Sequence, residues 1–94
     1  MKQNPRELSR IFKVLSVETR VRILQMLKES TLCVNALACR LEISPAAVSQ
    51  HLRILRDAGI VTDKKCGYYV HYSINEEELN RWKSLAGELL ETGS

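Results

Sequence analysis

The sequence predicts a mainly α-helical fold with a small β-hairpin, built as a single domain over residues 1–94. Three observations carry that expectation. Two helix starts of the same kind, Asn4-Pro5 and Ser44-Pro45, each place a capping residue before a proline. Two β-rich runs meet at Cys66-Gly67. Finally, 94 residues leave room for only one core, because domains cluster around ~100–150 residues.

In chain order, Asn4-Pro5-Arg6-Glu7 opens the first helix as cap, first helical residue and a glutamate three places after the cap. Leu8, Ile11, Phe12 and Leu15 then follow the i, i+3, i+4, i+7 stripe. Ser16 is the expected cap of a second helix, which Val21, Leu24 and Leu27 carry to about Glu29. Val34, Leu37, Ala38 and Leu41 suggest a short third helix. The fourth runs from Ser44-Pro45 to Gly59, a glycine in the usual place just past a helix end. Residues 60–65 and 68–74 form the hairpin strands around Cys66-Gly67. Asn75 and three glutamates open a fifth helix bearing Leu79, Trp82, Leu85, Ala86, Leu89 and Leu90.

The composition is ordinary for a folded chain, with 45% hydrophobic and 27% charged residues, and excludes disordered and collagen-like classes. No apolar run approaches the ~18 residues that span a bilayer. The start, Met1 to Arg6, does not lead into an apolar signal core, so a cytoplasmic location without membrane contact is expected. Net charge is +3, unevenly spread. Residues 1–75 hold twelve Lys/Arg against six Asp/Glu, whereas residues 76–94 hold two against five. A basic body suits nucleic acid on one face, and a solvated mixed-charge surface accounts for the same numbers.

The third helix, the turn at Glu42-Ile43-Ser44 and the fourth helix together read as a helix-turn-helix, and the hairpin behind them as a wing. Val48, Leu52 and Leu55 make a narrow apolar stripe on the fourth helix. The rest of it offers Ala46, Ser49, Gln50, Arg53 and Arg56, side chains suited to base edges and phosphates. Lys64, Lys65, Tyr68 and Tyr69 put cations and aromatics on the wing, where such groups reach phosphates and the minor groove.

These blocks resemble the ArsR/SmtB family of winged helix-turn-helix repressors, over about Glu7 to Leu90. The stretch Leu15-Ser16-Val17-Glu18-Thr19-Arg20-Val21-Arg22-Ile23-Leu24 is similar to the family's entry into its second helix. Residues Ser44 to Val61 resemble its recognition helix and the exit into the wing, with Gly67 and Tyr72 at matching wing positions. The resemblance implies a homodimer joined through the first and last helices, with Leu8, Ile11, Phe12, Leu79, Trp82, Leu85, Ala86 and Leu89 as interface candidates. A chain this short buries only ~60–65% of its unfolded surface, so little else is expected to cover Trp82. It also implies double-stranded operator DNA as partner, with base or backbone contacts at Pro45, Ala46, Ser49, Gln50 and Arg53 and wing contacts at Lys64, Lys65 and Tyr68.

The sensing half departs from the family pattern. Arsenic-responsive members carry several thiols at the start of the third helix, where this chain reads Cys33-Val34-Asn35-Ala36-Leu37-Ala38-Cys39. Only Cys33 matches a ligand position, and Cys39 lies about 240° around the helix from it at ~100° per residue. The last helix contains no histidine. No metal site and no cofactor are therefore expected, and the small inducer is left undefined. Cys33, at a helix start, and Cys66, beside Lys65, are candidate thiol switches. Burial as a small apolar residue is the plainer role for Cys33 and Cys39. His51 is a candidate phosphate contact and His71 a strand residue packed on the wing. Nothing resembles an enzyme's nucleophile, phosphate loop or paired carboxylates. The expected function is a dimeric DNA-binding repressor, and the alternative is a winged-helix module that binds protein.

Overall fold

A computed structural model describes residues 4–91. Five helices and three short strands follow in the order α1 (Pro5–Leu15), α2 (Glu18–Glu29), β1 (Leu32–Cys33), α3 (Val34–Leu41), α4 (Pro45–Asp57), β2 (Val61–Cys66), β3 (Tyr69–Ile74) and α5 (Glu76–Leu90). The two cap-and-proline starts behave as read. Asn4 accepts from the N–H groups of Arg6 and Glu7, and the Ser44 hydroxyl accepts from that of Ala47 at 3.1 Å.

Three details differ from the sequence reading. Ser16 ends α1 instead of opening α2, since its hydroxyl donates to the Lys13 carbonyl at 2.8 Å. Val17 precedes α2 with no side-chain cap. The hairpin is shifted by one residue: Cys66 still pairs, opposite Tyr69, and the two-residue turn is Gly67-Tyr68. Gly67 takes φ +64, the left-handed backbone that a side chain resists. A third strand also joins the sheet, because Leu32 and Cys33 pair with Tyr72 and His71, giving the order β1-β3-β2.

Between α3 and α4, Glu42 holds φ 58 and ψ 42, a left-handed position at a non-glycine residue. That geometry stops α3 and lets the Ile43 N–H reach back to the Ala38 carbonyl at 3.2 Å. The chain then turns sharply enough for α4 to pack across α3. Leu37 of α3, Val48, Leu52 and Leu55 of α4, Ile23 of α2, and Ile60 and Val61 entering β2 are the most deeply buried side chains. Helix α4 therefore rests on the centre of the core.

Helix α5 returns over α1. Arg81 bridges Glu7 of α1 and Glu78 of its own helix, and the Trp82 indole N–H donates to Glu78 at 2.9 Å. The Arg81 guanidinium holds the Glu78 carboxyl below its ordinary pKa against the opposing effect of burial, and the indole N–H adds a smaller pull in the same direction as Arg81. Trp82 is buried within its own chain, as are Leu8 and Ile11. This corrects the expectation that the indole needs a second copy to cover it. Among the interface candidates, Phe12 and Leu89 are exposed, and Leu79, Leu85 and Ala86 are half-buried.

The Ser44 cap sits at the start of the helix that the core is built on. Ser44→Ala is expected to lower the unfolding free energy by about 1 kcal/mol, the usual cost of removing an N-cap, with an unchanged urea m-value. Urea denaturation followed by circular dichroism measures both.

Candidate nucleic-acid interface

Helix α4 divides its surface by function. Val48, Leu52 and Leu55 turn inward, while Pro45, Ala46, Ser49, Gln50 and Arg53 are all exposed. At ~100° per residue, Ala46, Gln50 and Arg53 share one outward face. Gln50 offers both a donor and an acceptor to an adenine edge, Arg53 a fork for guanine or phosphate, and Ala46 a methyl for thymine.

The wing lies along one flank of this face. Arg56, in the last turn of α4, reaches Asp63 of β2 at 3.0 Å. The pair is exposed and worth at most ~1 kcal/mol, but it commits Arg56 to the wing instead of to the open face. Lys64, Lys65 and Tyr68 are exposed beyond it, Tyr68 completely. Successive strand residues point to opposite faces, so Lys64 and Lys65 flank the ribbon on its two sides.

His51 does not sit where the sequence reading put it. It is half-buried on the other flank of α4, and its Nδ1 is buried without a hydrogen-bond partner. Burial, and then the charge of Arg20, hold its pKa below the ordinary 6.5. Arg20 is the feature that the sequence reading missed. It is 9% exposed, its Nε donates to the Val14 carbonyl at 2.8 Å, and its Nη2 donates to that of Lys13 at 3.4 Å. The spacing does carry a signal, because Arg20 stands three, four and seven residues before Ile23, Leu24 and Leu27 on the buried stripe.

The cysteines are separated. Cys33 is half-buried at the N-cap of α3, and Cys66 is exposed at the end of β2. Cys39 is exposed, which corrects its reading as a buried apolar residue. Among the described residues, no three His, Cys, Asp or Glu side chains are grouped to hold a metal ion. No described helix is long and apolar enough to cross a membrane.

A two-stranded wing packed behind a helix-turn-helix, with polar and cationic groups on the outward face of its second helix, defines a winged-helix DNA-binding regulator. Comparison with known proteins agrees. The sequence profile described as "Bacterial regulatory protein, arsR family" matches residues 18–63. The chain is 42% identical over 81 residues to a cadmium resistance transcriptional regulatory protein, a CadC homolog of Staphylococcus aureus, covering 85% of this chain and 67% of that one. It is 41% identical over 66 residues to the arsenical resistance operon repressor of Escherichia coli K12, covering 69% of this chain and 56% of the repressor. The solved structure of HlyU from Vibrio cholerae N16961 superposes with TM-score 0.77 at 34% identity, covering 96% of this chain and 98% of HlyU. A homodimeric winged helix-turn-helix DNA-binding domain of Mycobacterium bovis, Mb0332, superposes with TM-score 0.74 at 25% identity, covering 88% of this chain and 77% of that one. The chain belongs to the arsR family of bacterial regulatory proteins. Family membership favours the DNA-binding regulator over the protein-interaction module and over any enzyme.

The neutral His51 sets a direction for stability. Its pKa is lower folded than unfolded, so below about pH 6.5 the unfolded chain takes up a proton that the folded chain resists. That contribution destabilises the fold progressively as pH falls from about 7 towards the depressed folded value, and it is absent above. His51→Gln is expected to narrow the difference in Tm between about pH 7.5 and about pH 5.5. Differential scanning calorimetry at the two values measures it, and an unchanged difference counts against the burial argument.

Proposed function

We propose that this chain is a dimeric repressor whose two copies of α4 enter successive major grooves of an operator, with release by an inducer. One observation supports the reading most: the outward face of α4 presents Pro45, Ala46, Ser49, Gln50 and Arg53 while its inward face is locked in the core. A helix held that firmly presents its side chains to base edges with little loss of conformational freedom. Lys64, Lys65 and Tyr68 on the wing then meet phosphates beside the same groove.

The dimer seam is assigned to the outer sides of α1 and α5. Phe12 and Leu89 are 37% and 47% exposed, and Leu79, Leu85 and Ala86 are partly open beside them. Trp82, Leu8 and Ile11 stand behind this seam as support. The inducer is not assigned to a metal held by one protomer, because Cys33 has no second thiol or imidazole grouped with it into a three-ligand site among the described residues.

Selection of bound duplexes from random DNA tests the reading directly. Gln50→Ala is expected to relax base preference at one position and cost ~1–3 kcal/mol of selected-site affinity. Lys64→Ala and Lys65→Ala are expected to weaken all duplexes alike and to flatten the salt dependence. Unchanged affinity in Gln50→Ala and Arg53→Ala together removes α4 as the reader. In sedimentation, Leu89→Glu is expected to move a dimer towards monomer at micromolar concentration, since it buries an unpaired charge in an apolar seam. A dimer that tolerates the substitution places the seam elsewhere.

A further inference from the structure

On the flank of α4 away from the wing lies a cleft of about 350 Å³ lined by Arg10 and Lys13 of α1, Val14, Arg20 of α2 and Ile54 of α4. Three of its five lining residues are cations and none is acidic. Among the described residues, no carboxylate forms an ion pair with Arg10, Lys13 or Arg20. Arg20 is fixed at the base by its two bonds to the end of α1, and Arg10 and Lys13 are exposed. The charges of Arg10 and Lys13 therefore face solvent without a carboxylate partner, above the buried Arg20.

The position of the cleft says what it meets. Around α4, Ile54 lies about 160° from Arg56 at ~100° per residue, with Ala46, Gln50 and Arg53 between them. Arg56 marks the wing side through Asp63, so Ile54 marks the opposite edge of the outward face. Ile54 is also one helical turn beyond Gln50, and at 41% exposure its side chain stands beside that face. A helix with its side chains is ~10–12 Å across, and the major groove is ~12 Å wide. When α4 fills the groove, one phosphate strand runs along each flank. The wing cations meet one strand, and the other strand runs past this cleft.

Resting on the DNA-binding reading above, we infer that Arg10, Lys13 and Arg20 form a second phosphate clamp, which grips the operator backbone on the side of the recognition helix opposite the wing. Arg20 supplies a fixed charge at the base of the clamp. Arg10 and Lys13 reach the phosphodiester oxygens, and Ile54 packs against the adjoining deoxyribose. Such contacts carry no base information, but they fix the angle at which α4 lies in the groove.

The test compares the full chain with the double variant Arg10→Ala/Lys13→Ala on a selected duplex. Arg20 is left in place because it caps α1. Both substituted side chains are exposed, and circular dichroism is used to check that the variant folds. Affinity is measured across a range of salt, and phosphate ethylation interference maps the backbone contacts. The slope of log K against log salt is expected to shrink by roughly 0.9 for each phosphate that is no longer neutralised, or about 2 per protomer, with base preference unchanged. Interference is expected to disappear on the strand away from the wing and to persist on the wing side. A wild-type slope, in a protein where Lys64→Ala/Lys65→Ala does flatten it, overturns the clamp and leaves the DNA-binding reading standing. If the unmodified chain binds duplex DNA with no salt dependence, that reading fails and the clamp falls with it. Titration of the DNA-free protein with inorganic phosphate separates the two sources of anion. Saturable binding that disappears in the double variant, alongside an unchanged DNA slope, overturns the backbone contact in favour of a free-anion site.

Discussion

The guanidinium of Arg20 sits where three helices meet, and much of the molecule is arranged around it. A buried cation needs partners to offset its desolvation, and Arg20 finds them in the carbonyls of Val14 and Lys13 at the end of α1. Both carbonyls lie in the last turn of α1, at its negative dipole end, so charge and helix terminus stabilise each other. One side chain thus joins α1 to α2 and leaves a fixed charge beside α4. Its charge adds to burial in keeping His51 neutral on the facing flank. A lysine there offers a point charge, without the planar fork that meets two carbonyls at once.

Around that junction the chain separates stiffness from contact. Helix α4 gives Val48, Leu52 and Leu55 to the core and keeps its opposite face for solvent. The left-handed turn at Glu42 fixes the angle between α3 and α4 at a cost of about 1 kcal/mol for a side chain in that backbone region. At the far end, Arg81 ties α5 to α1 through Glu7 and Glu78, with the Trp82 indole bonded to the same glutamate. Helices α1 and α5, on which the proposed dimer seam is placed, are therefore braced against each other within one chain.

Much of this was legible in the residues. Asn4-Pro5 and Ser44-Pro45 marked their helix starts because a side-chain cap followed by a proline has few other stable uses. The hairpin was evident from its β-rich runs, though its bounds moved by one residue, since pairing at Cys66 depends on the turn geometry at Gly67. Strand β1 was hidden because two residues cannot show a period, and only the neighbouring β3 makes Leu32 and Cys33 a strand. Ser16 misled because a hydroxyl between two helices can close one or open the next, and local sequence does not decide which. Arg20 is hard to read because its charge favours the surface while its spacing favours the core. At that position the spacing was the better guide.

The outer strand of the wing enters the core at a single residue. Val61 is the only residue of β2 that is buried, and the five residues after it all face solvent. Beyond Val61, β2 is held by its ladder with β3, the Thr62–Ser73 hydroxyl pair and the Arg56–Asp63 ion pair. Changes at residues 62–68 therefore leave the core untouched, whereas Tyr72 and Ile74 of β3 pack against it: the tip can be lengthened, recharged or given new aromatics without a cavity or a clash inside. The outer half of the hairpin is thus a part whose charge and length can be retuned while α4 keeps its seat in the core.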